Sequence, residues 1–439
     1  MLKKPIAQAK SLPRPDYSKL SKYPTLSLKE RNRRFDLIRK MMVKYDVEAL
    51  IVLQGGMRCD DTSTYFTNAW FGSTQFVFFP LKGEPVAFNE RDPLEIDTFM
   101  KGESYGINSW IRDWRFPPDG RHDWVTLLRQ RGLTSSRIGI IGNGVFGRQM
   151  QAIIIKGLTN DIKIALPKIT FIDLWKPFVQ IMLVKSQEEI AMFSKAALAL
   201  EVAAEKFVSV CEPGNDVADI QREIINILIP YGVDIWSPSH PPACCIACGP
   251  EGGRGISWLA HGLKPPIIKK GDLVECELMA NVGHLHAQAL MAVSVGKPNQ
   301  EKITLASLAR EAYESGLNVL RPGITFGELV EVMSRPNKRG KAWQLSPSVH
   351  TLNPHEAVSS CGVGISNFTG LKERLGDVSL AEPKMQRADL VIEPGMLFEF
   401  EPNSAYGRTY VSIGGNIIVT SNGCKELNKI PTRMVVTPA

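Results

Sequence analysis

The stretch Gly271 to Gly296, GDLVECELMANVGHLHAQALMAVSVG, reads as two strands around a turn. Glu275 and Glu277 alternate with Leu273, Val274 and Cys276, the run Asn281-Val282-Gly283 supplies the turn, and His284 to Gln288 resumes the alternation. A strand's period of two puts Glu275 beside Glu277 on one face, and His284, His286 and Gln288 together on the returning strand. Two carboxylates, two imidazoles and an amide are a heavy polar load for a hairpin otherwise so apolar. A wet outer face would account for them, since antiparallel sheets commonly have one. The polar floor of a site would account for them equally.

Further groups able to carry chemistry flank this hairpin. His261 stands just ahead of it in Trp258-Leu259-Ala260-His261-Gly262. Imidazole is the natural proton carrier near neutral pH, although a histidine beside a glycine is commonly only a turn residue. Towards the carboxyl end, the run Ile392 to Asn403, IEPGMLFEFEPN, places Glu399 and Glu401 on one strand face. Between the two stretches lie His350 and His355, in HTLNPHE, and Cys361, in Ser360-Cys361-Gly362-Val363-Gly364.

The first part of the chain alternates helix and strand. Ser27 is placed to cap a helix with the apolar stripe Phe35, Ile38, Met41 and Met42, and Glu30 has the spacing of a capping box. Strands are expected at Ala49–Leu53, Gln75–Phe79, Pro85–Phe88 and Arg137–Ile141, with a helix around Trp124 to Arg131. This order predicts an α/β amino-terminal domain. The crowded run with Asp60, Asp61, Tyr65, Phe66, Trp70 and Phe71 reads as a loop carrying binding residues. Gly142-Asn143-Gly144-Val145-Phe146-Gly147 has the glycine spacing of a dinucleotide fingerprint, but it comes late in its domain and reads better as a tight turn.

The second part opens at Lys185-Ser186-Gln187-Glu188-Glu189-Ile190, a serine cap followed by an acidic first turn. It then repeats a design: a long helical segment, Pro213-Gly214 and a short helix, then another long segment, Pro322-Gly323 and a short helix. Such a duplication predicts an α+β domain with pseudo-twofold symmetry.

Three strings carry a family resemblance: GDLV-x-x-E with Gln288 eleven residues on, Lys185-Ser186-Gln187-Glu188-Glu189-Ile190, and EPGM-x-F-x-x-E-P ending at Pro402. They resemble the pita-bread fold family of methionine aminopeptidases, prolidases and creatinase. The resemblance implies an α/β amino-terminal domain, residues 1–178, and a pita-bread domain, residues 179–439, with outer helices and a curved antiparallel sheet inside. It makes His261 the proton carrier, with Glu277 and Glu401 as its catalytic partners. It places His286, Gln288, His350, His355, Cys361, Glu399 and Phe71 around the substrate. Phe71 would belong to a pocket wall shared across a homodimer.

The resemblance also exposes departures. Family metallopeptidases hold two metal ions with two aspartates, a histidine and two glutamates. Here the aspartate positions are Glu277 and Gln288, the histidine position is Cys361 or is displaced to His350, one glutamate is Glu401, and the other is Gly414. Two neighbouring divalent ions need shared anionic oxygens that this set lacks, so no metal cofactor is expected. A single ion held by Glu277, His286, Glu401 and a histidine or cysteine stays open. Zinc at Cys244-Cys245-Ile246-Ala247-Cys248 lacks a second cysteine pair.

The expected function is therefore metal-independent, creatinase-like hydrolysis of a C–N bond in a small amidino, ureido or amide substrate. The alternatives are a prolidase or Xaa-Pro peptidase-like metalloenzyme with an atypical site, and a binding protein that keeps only the fold.

Composition sets the outer bounds. The 439 residues suffice for two domains, and 44% hydrophobic with 22% charged residues is ordinary for a globular chain. The net charge of +7 is spread thinly; its densest run, Lys29 to Arg34, reads as a solvated helix face rather than a nucleic-acid patch. Eight irregularly spaced cysteines do not form a secreted disulfide framework. With neither a signal-peptide core nor a membrane-length apolar run, the expectation is a cytoplasmic protein without nucleic-acid or membrane partners.

Overall fold

A computed structural model describes residues 6–8, 25–53, 61–69, 75–89, 93–101, 110–116, 124–142, 145–146, 149–150, 152–233, 243–252, 261–344, 347–354, 356–360, 362–364, 385 and 387–439. The chain divides into two compact units. One comprises 25–189 with 353–357, the other 1–24, 190–352 and 358–439.

The smaller unit is built on a six-stranded mixed sheet, in the order Asp113–Arg115, Val86–Asn89, Gln75–Pro80, Ala49–Leu53, Arg137–Ile141 and Thr170–Asp173. Ala49–Leu53 is apolar and buried at every position, which suits a central strand covered on both faces. It pairs antiparallel with Gln75–Pro80 and parallel with Arg137–Ile141. The helix Leu28–Lys44 starts at Ser27, whose hydroxyl accepts from the Glu30 N–H at 3.2 Å. The expected capping box is not completed by Glu30. That carboxylate turns to Arg33 and Arg34, and the Ser27 N–H donates instead to Glu188 at 2.9 Å.

The basic run is correspondingly not a solvated face throughout. Arg34 is buried between Glu30, at 2.8 Å, and Glu189, at 3.0 Å, and lies over the ring of Tyr65. A buried guanidinium needs such pairing, because an unpaired charge away from water is strongly destabilising. The crowded aromatic run also differs from the loop expected. Asp61–Thr67 is a helix, and Phe66 is buried against Phe79 and Phe178. Tyr65 and Phe66 serve the core, while Asp60, Trp70 and Phe71 lie outside the described residues.

The larger unit shows the duplication as a repeated hydrogen-bond pattern. The Gly214 N–H donates to the Ile268 carbonyl at 3.0 Å, and Gly323 donates to Ile392 at 2.9 Å. Val217 donates to Pro266, and Phe326 to Leu390. Gly271 donates to Val295 at 2.8 Å, and Gly395 to Val419 at 2.9 Å. Each half thus has a long helix (Gln187–Val210, Gln300–Val319), a short one (Val217–Leu228, Phe326–Gly340) and a strand opening at a glycine of positive φ. The Ser186 cap is reciprocal, with Glu189 N–H donating to the serine hydroxyl and the Glu189 carboxylate accepting from the Ser186 N–H.

The strands form two main sheets. One runs 6–8, Met434–Thr437, Leu285–Val295, Leu273–Val282 and Ala243–Gly249; the other runs Val349–Thr351, Leu397–Phe400, Gly415–Val419 and Cys424–Glu426. Pairing is antiparallel except around Met434–Thr437, which joins both its neighbours in parallel. Leu305, Ala306, Leu308 and Ala309 of the long helix pack on Leu273, Ala292, Val411 and Ile413, so apolar helix faces cover the sheet. The larger unit has the expected pita-bread architecture, and the smaller unit is α/β. Among the described residues no helix is long and apolar enough to cross a membrane.

The opening hairpin is tighter than its sequence suggests. Its strands are Leu273–Val282 and Leu285–Val295, so the turn is Gly283–His284, with φ of 55° and 65°. Two successive positive φ values mark the hairpin turn that matches strand twist, and a glycine adopts one of them freely. Asn281 therefore sits on the strand, opposite His286, and His284 is an exposed turn residue rather than a member of the polar face.

Candidate active site

Register decides which hairpin side chains meet. Glu277 lies opposite Leu290, Met279 opposite Gln288 and Asn281 opposite His286, so Glu275, Glu277, Asn281, His286 and Gln288 share one face. Gln288 and His286 are buried, with 2% and 4% exposure, and Glu277 is half-buried. This face is an interior floor, not a solvated side.

The strand Leu397–Phe400 and the residue after it bring the second pair of acids. Gln288 Nε2 donates to Glu277 Oε1 at 2.7 Å and lies 3.4 Å from Glu401 Oε2. Glu401 Oε1 in turn faces His350 Nε2 at 3.6 Å, and His350 is wholly buried on the neighbouring strand Val349–Thr351. His350 Nδ1 contacts the Thr351 carbonyl at 3.0 Å. A carbonyl only accepts, so Nδ1 carries the proton and Nε2 is the nitrogen presented to Glu401. Glu277, Gln288 and Glu401 are thus joined by hydrogen bonds, with His350 Nε2 3.6 Å from Glu401.

Glu399 belongs to the same cluster but is differently placed. Its side chain is fully buried, and neither carboxyl oxygen has a hydrogen-bond partner among the described residues. Burial, reinforced by the charges of Glu401 and Glu277, pushes its pKa well above the usual carboxylate range, which favours the protonated form. Room for it exists because residue 414 is a glycine. A Cβ there would stand 2.7 Å from Glu399 Oε1 and 2.7 Å from the Phe400 carbonyl oxygen.

The duplication explains why one inner acid is satisfied and the other is not. Gly271-Asp272-Leu273-Val274-Glu275-Cys276-Glu277 corresponds to Gly395-Met396-Leu397-Phe398-Glu399-Phe400-Glu401. Glu275 accepts the Ser412 N–H at 2.8 Å. The corresponding donor in the other half, the Gln288 N–H, goes to Asn416 Oδ1 at 3.1 Å, and the Asn416 amide returns a bond to the Gln288 carbonyl at 2.7 Å. Asn416 lies opposite Glu399 in the strand register and takes the donor that Glu399 would otherwise receive. Sequence reading missed Asn416 and the pairing of Glu275 with Glu399. The repeated string Gly-x-Leu-x-Glu-x-Glu was the available signal.

His261 is exposed. His355, Cys361 and Phe71 lie outside the described residues. Cys248, on the strand Ala243–Gly249, directs its thiol to Asp272 at 3.5 Å; burial and that carboxylate push its pKa up to about 12. A thiol held protonated in this way is a poor metal ligand.

The pattern of metallopeptidase family M24 matches residues 191–421, more than half of the chain, and the chain belongs to that family. It is 24% identical over 259 residues to a probable dipeptidase PepE of Mycobacterium tuberculosis H37Rv, covering 58% of this chain and 61% of that protein. The match therefore spans less than two thirds of that relative. In structure the chain resembles dipeptidase PepE from Mycobacterium ulcerans, with a TM-score of 0.67 and 16% identity over 94% of this chain and 100% of that one. It also resembles the prolidase from Pyrococcus horikoshii OT3, with a TM-score of 0.66 and 17% identity over 92% of this chain and 99% of that one. Likeness at such identity defines the fold.

The family implies two metal ions, and the donor set here does not fit a pair. An amide N–H, which donates rather than accepts, lies between Glu277 and Glu401. Gly414 offers no side chain, and the Glu399 carboxyl fills the space beside it. Two adjacent cations need several anionic oxygens to offset their repulsion.

Proposed function

We propose that this protein is a hydrolase of an amide-type C–N bond in a small substrate of dipeptide size, using its own side chains rather than a pair of metal ions. The observation that carries this is the hydrogen-bonded cluster of Glu277, Gln288 and Glu401 with His350 beside Glu401. The relatives' names, a dipeptidase and a prolidase, favour a peptide-like substrate over the amidino or ureido compounds that creatinase-like chemistry suggests.

In this reading Gln288 holds the two carboxylates in register by hydrogen bonding, which fixes their direction before substrate arrives. Glu401 and His350 handle the proton. The carboxylate takes one proton from a water molecule as its oxygen adds to the carbonyl carbon, and His350 Nε2, which carries no proton in this tautomer, accepts a hydrogen bond from the acid so formed. As the C–N bond breaks, the leaving nitrogen receives a proton, and His261 is the candidate carrier on the solvent side. Glu277, the more open acid, faces the substrate and orients its polar end.

A second reading, a peptidase with a single bound ion, is favoured by the family's metallopeptidase character. One experiment separates the two. The purified protein is dialysed against EDTA and assayed on dipeptides, including Xaa-Pro, and on small amides. Turnover that survives dialysis supports the side-chain mechanism. Turnover that returns only with added manganese, cobalt or zinc supports the second reading, and no turnover under either condition overturns both.

A further inference from the structure

Glu277 and Glu401 approach one another across the joined halves, and like charges so placed repel unless something positive lies between them. In this chain the group between them is the Gln288 side-chain nitrogen, 2.7 Å from one acid and 3.4 Å from the other. Both of its hydrogens are used in this orientation, whereas the flipped amide would set an oxygen against two carboxylates. The amide oxygen, Oε1, has no partner among the described residues. Beyond Glu401, the Glu399 carboxyl lies where a side chain of residue 414 would begin.

We propose that Gln288 takes the place of a cation in this site, its two N–H groups bridging Glu277 and Glu401, while Glu399 set against Gly414 closes the room for a second ion. The site is then a self-contained acid–amide cluster, and a single change at residue 288 restores its demand for a cation. This rests on the reading of the site as one that works with its own side chains, but it concerns binding rather than turnover.

Gln288→Glu supplies the test, because it keeps the shape of the side chain and replaces two donors by an acid. Melting is followed in EDTA and in millimolar Mn²⁺, and Mn²⁺ binding is measured by calorimetry on the full chain. The native protein should melt at the same temperature in both media and show no saturable Mn²⁺ heat. Gln288→Glu should melt at least about 5 °C lower in EDTA, recover in Mn²⁺, and bind one ion per chain. Adding Glu401→Gln to that variant should abolish the binding.

Stoichiometric, saturable Mn²⁺ binding by the native protein would overturn the proposal. So would a folded Gln288→Glu protein, judged by circular dichroism, that neither loses stability in EDTA nor takes up the ion. Should Gln288→Glu fail to fold in EDTA, its expression with Mn²⁺ decides: recovery of folded, ion-loaded protein supports the exchange, and failure to recover it counts against it. Failure of the hydrolysis assay leaves these binding outcomes standing, so the two readings fail separately.

Discussion

Glu275 and Glu399 occupy corresponding places in the two halves of the larger unit, one strand pattern apart, and their surroundings are opposite. Glu275 is buried and takes a backbone N–H from Ser412 at 2.8 Å. Glu399 is as deeply buried and has no hydrogen-bond partner among the described residues, because Asn416 has taken the equivalent N–H. A duplicated framework therefore fixes where carboxylates stand without fixing their charge. The donors left over by neighbouring side chains decide that, and here they separate a structural acid from one facing the site.

The largest expected effect comes from breaking the working half outright. His350→Ala or Glu401→Gln should lower kcat on whichever substrate is turned over by about 10²–10⁴-fold, the usual contribution of a general acid–base group. KM should change far less, as separate kcat and KM values would show. His261→Ala should cost less than either, since that imidazole is exposed. A His261 variant more damaged than the His350 variant would move the proton chemistry to the solvent side.

Packing between the halves gives the next effect. Gly414→Ala sets a methyl against a backbone oxygen that cannot swing aside, and should destabilise the larger unit by about 1–3 kcal/mol or more in urea titration. Pairing it with Glu399→Ala should recover only part of that loss, because the Phe400 carbonyl remains. Full recovery would show that the carboxyl alone fills the space.

The last effect is the most specific. Because the folded state holds the proton on Glu399 well above the usual range, the unfolded chain releases it first as pH rises. The unfolded state then binds fewer protons than the folded one, so this group's contribution is best at low pH and declines upward from about pH 4–5, by up to about 1.4 kcal/mol per pH unit. Glu399→Gln removes that decline. The stability difference between variant and native protein should grow in the variant's favour between pH 5 and pH 8, and a flat difference would mean that Glu399 is ionised.

Much of this was legible because it depends on local pattern. The caps at Ser27 and Ser186 follow from spacing, and the duplication follows from Pro213-Gly214 and Pro322-Gly323. The polar face of the hairpin was readable for the same reason, since a period of two survives any fold. What failed were features set by partners far away in sequence. Asn281-Val282-Gly283 looks like a turn, yet the turn moved on to Gly283–His284 because pairing carries Asn281 opposite His286. Tyr65 and Phe66 look like a binding loop until Phe79 and Phe178 close over them. Arg34 looks solvated until Glu189, over 150 residues away, reaches it. Glu399 could be placed on its strand from sequence, but its solitude depends on Asn416, whose side chain gives no local sign of where it turns.

The Gly414 N–H donates to the Leu290 carbonyl at 2.9 Å, and these two residues hold corresponding positions in the two halves. The bond therefore lies on the seam where the halves meet. In an assembly of two identical copies, any substitution beside such a seam strikes both sides at once, so the inner acids would stay alike. A single chain that spells out each half separately removes that constraint. Leucine can remain on one side while glycine stands on the other, and the acid beside the glycine is free to change its protonation without disturbing its twin.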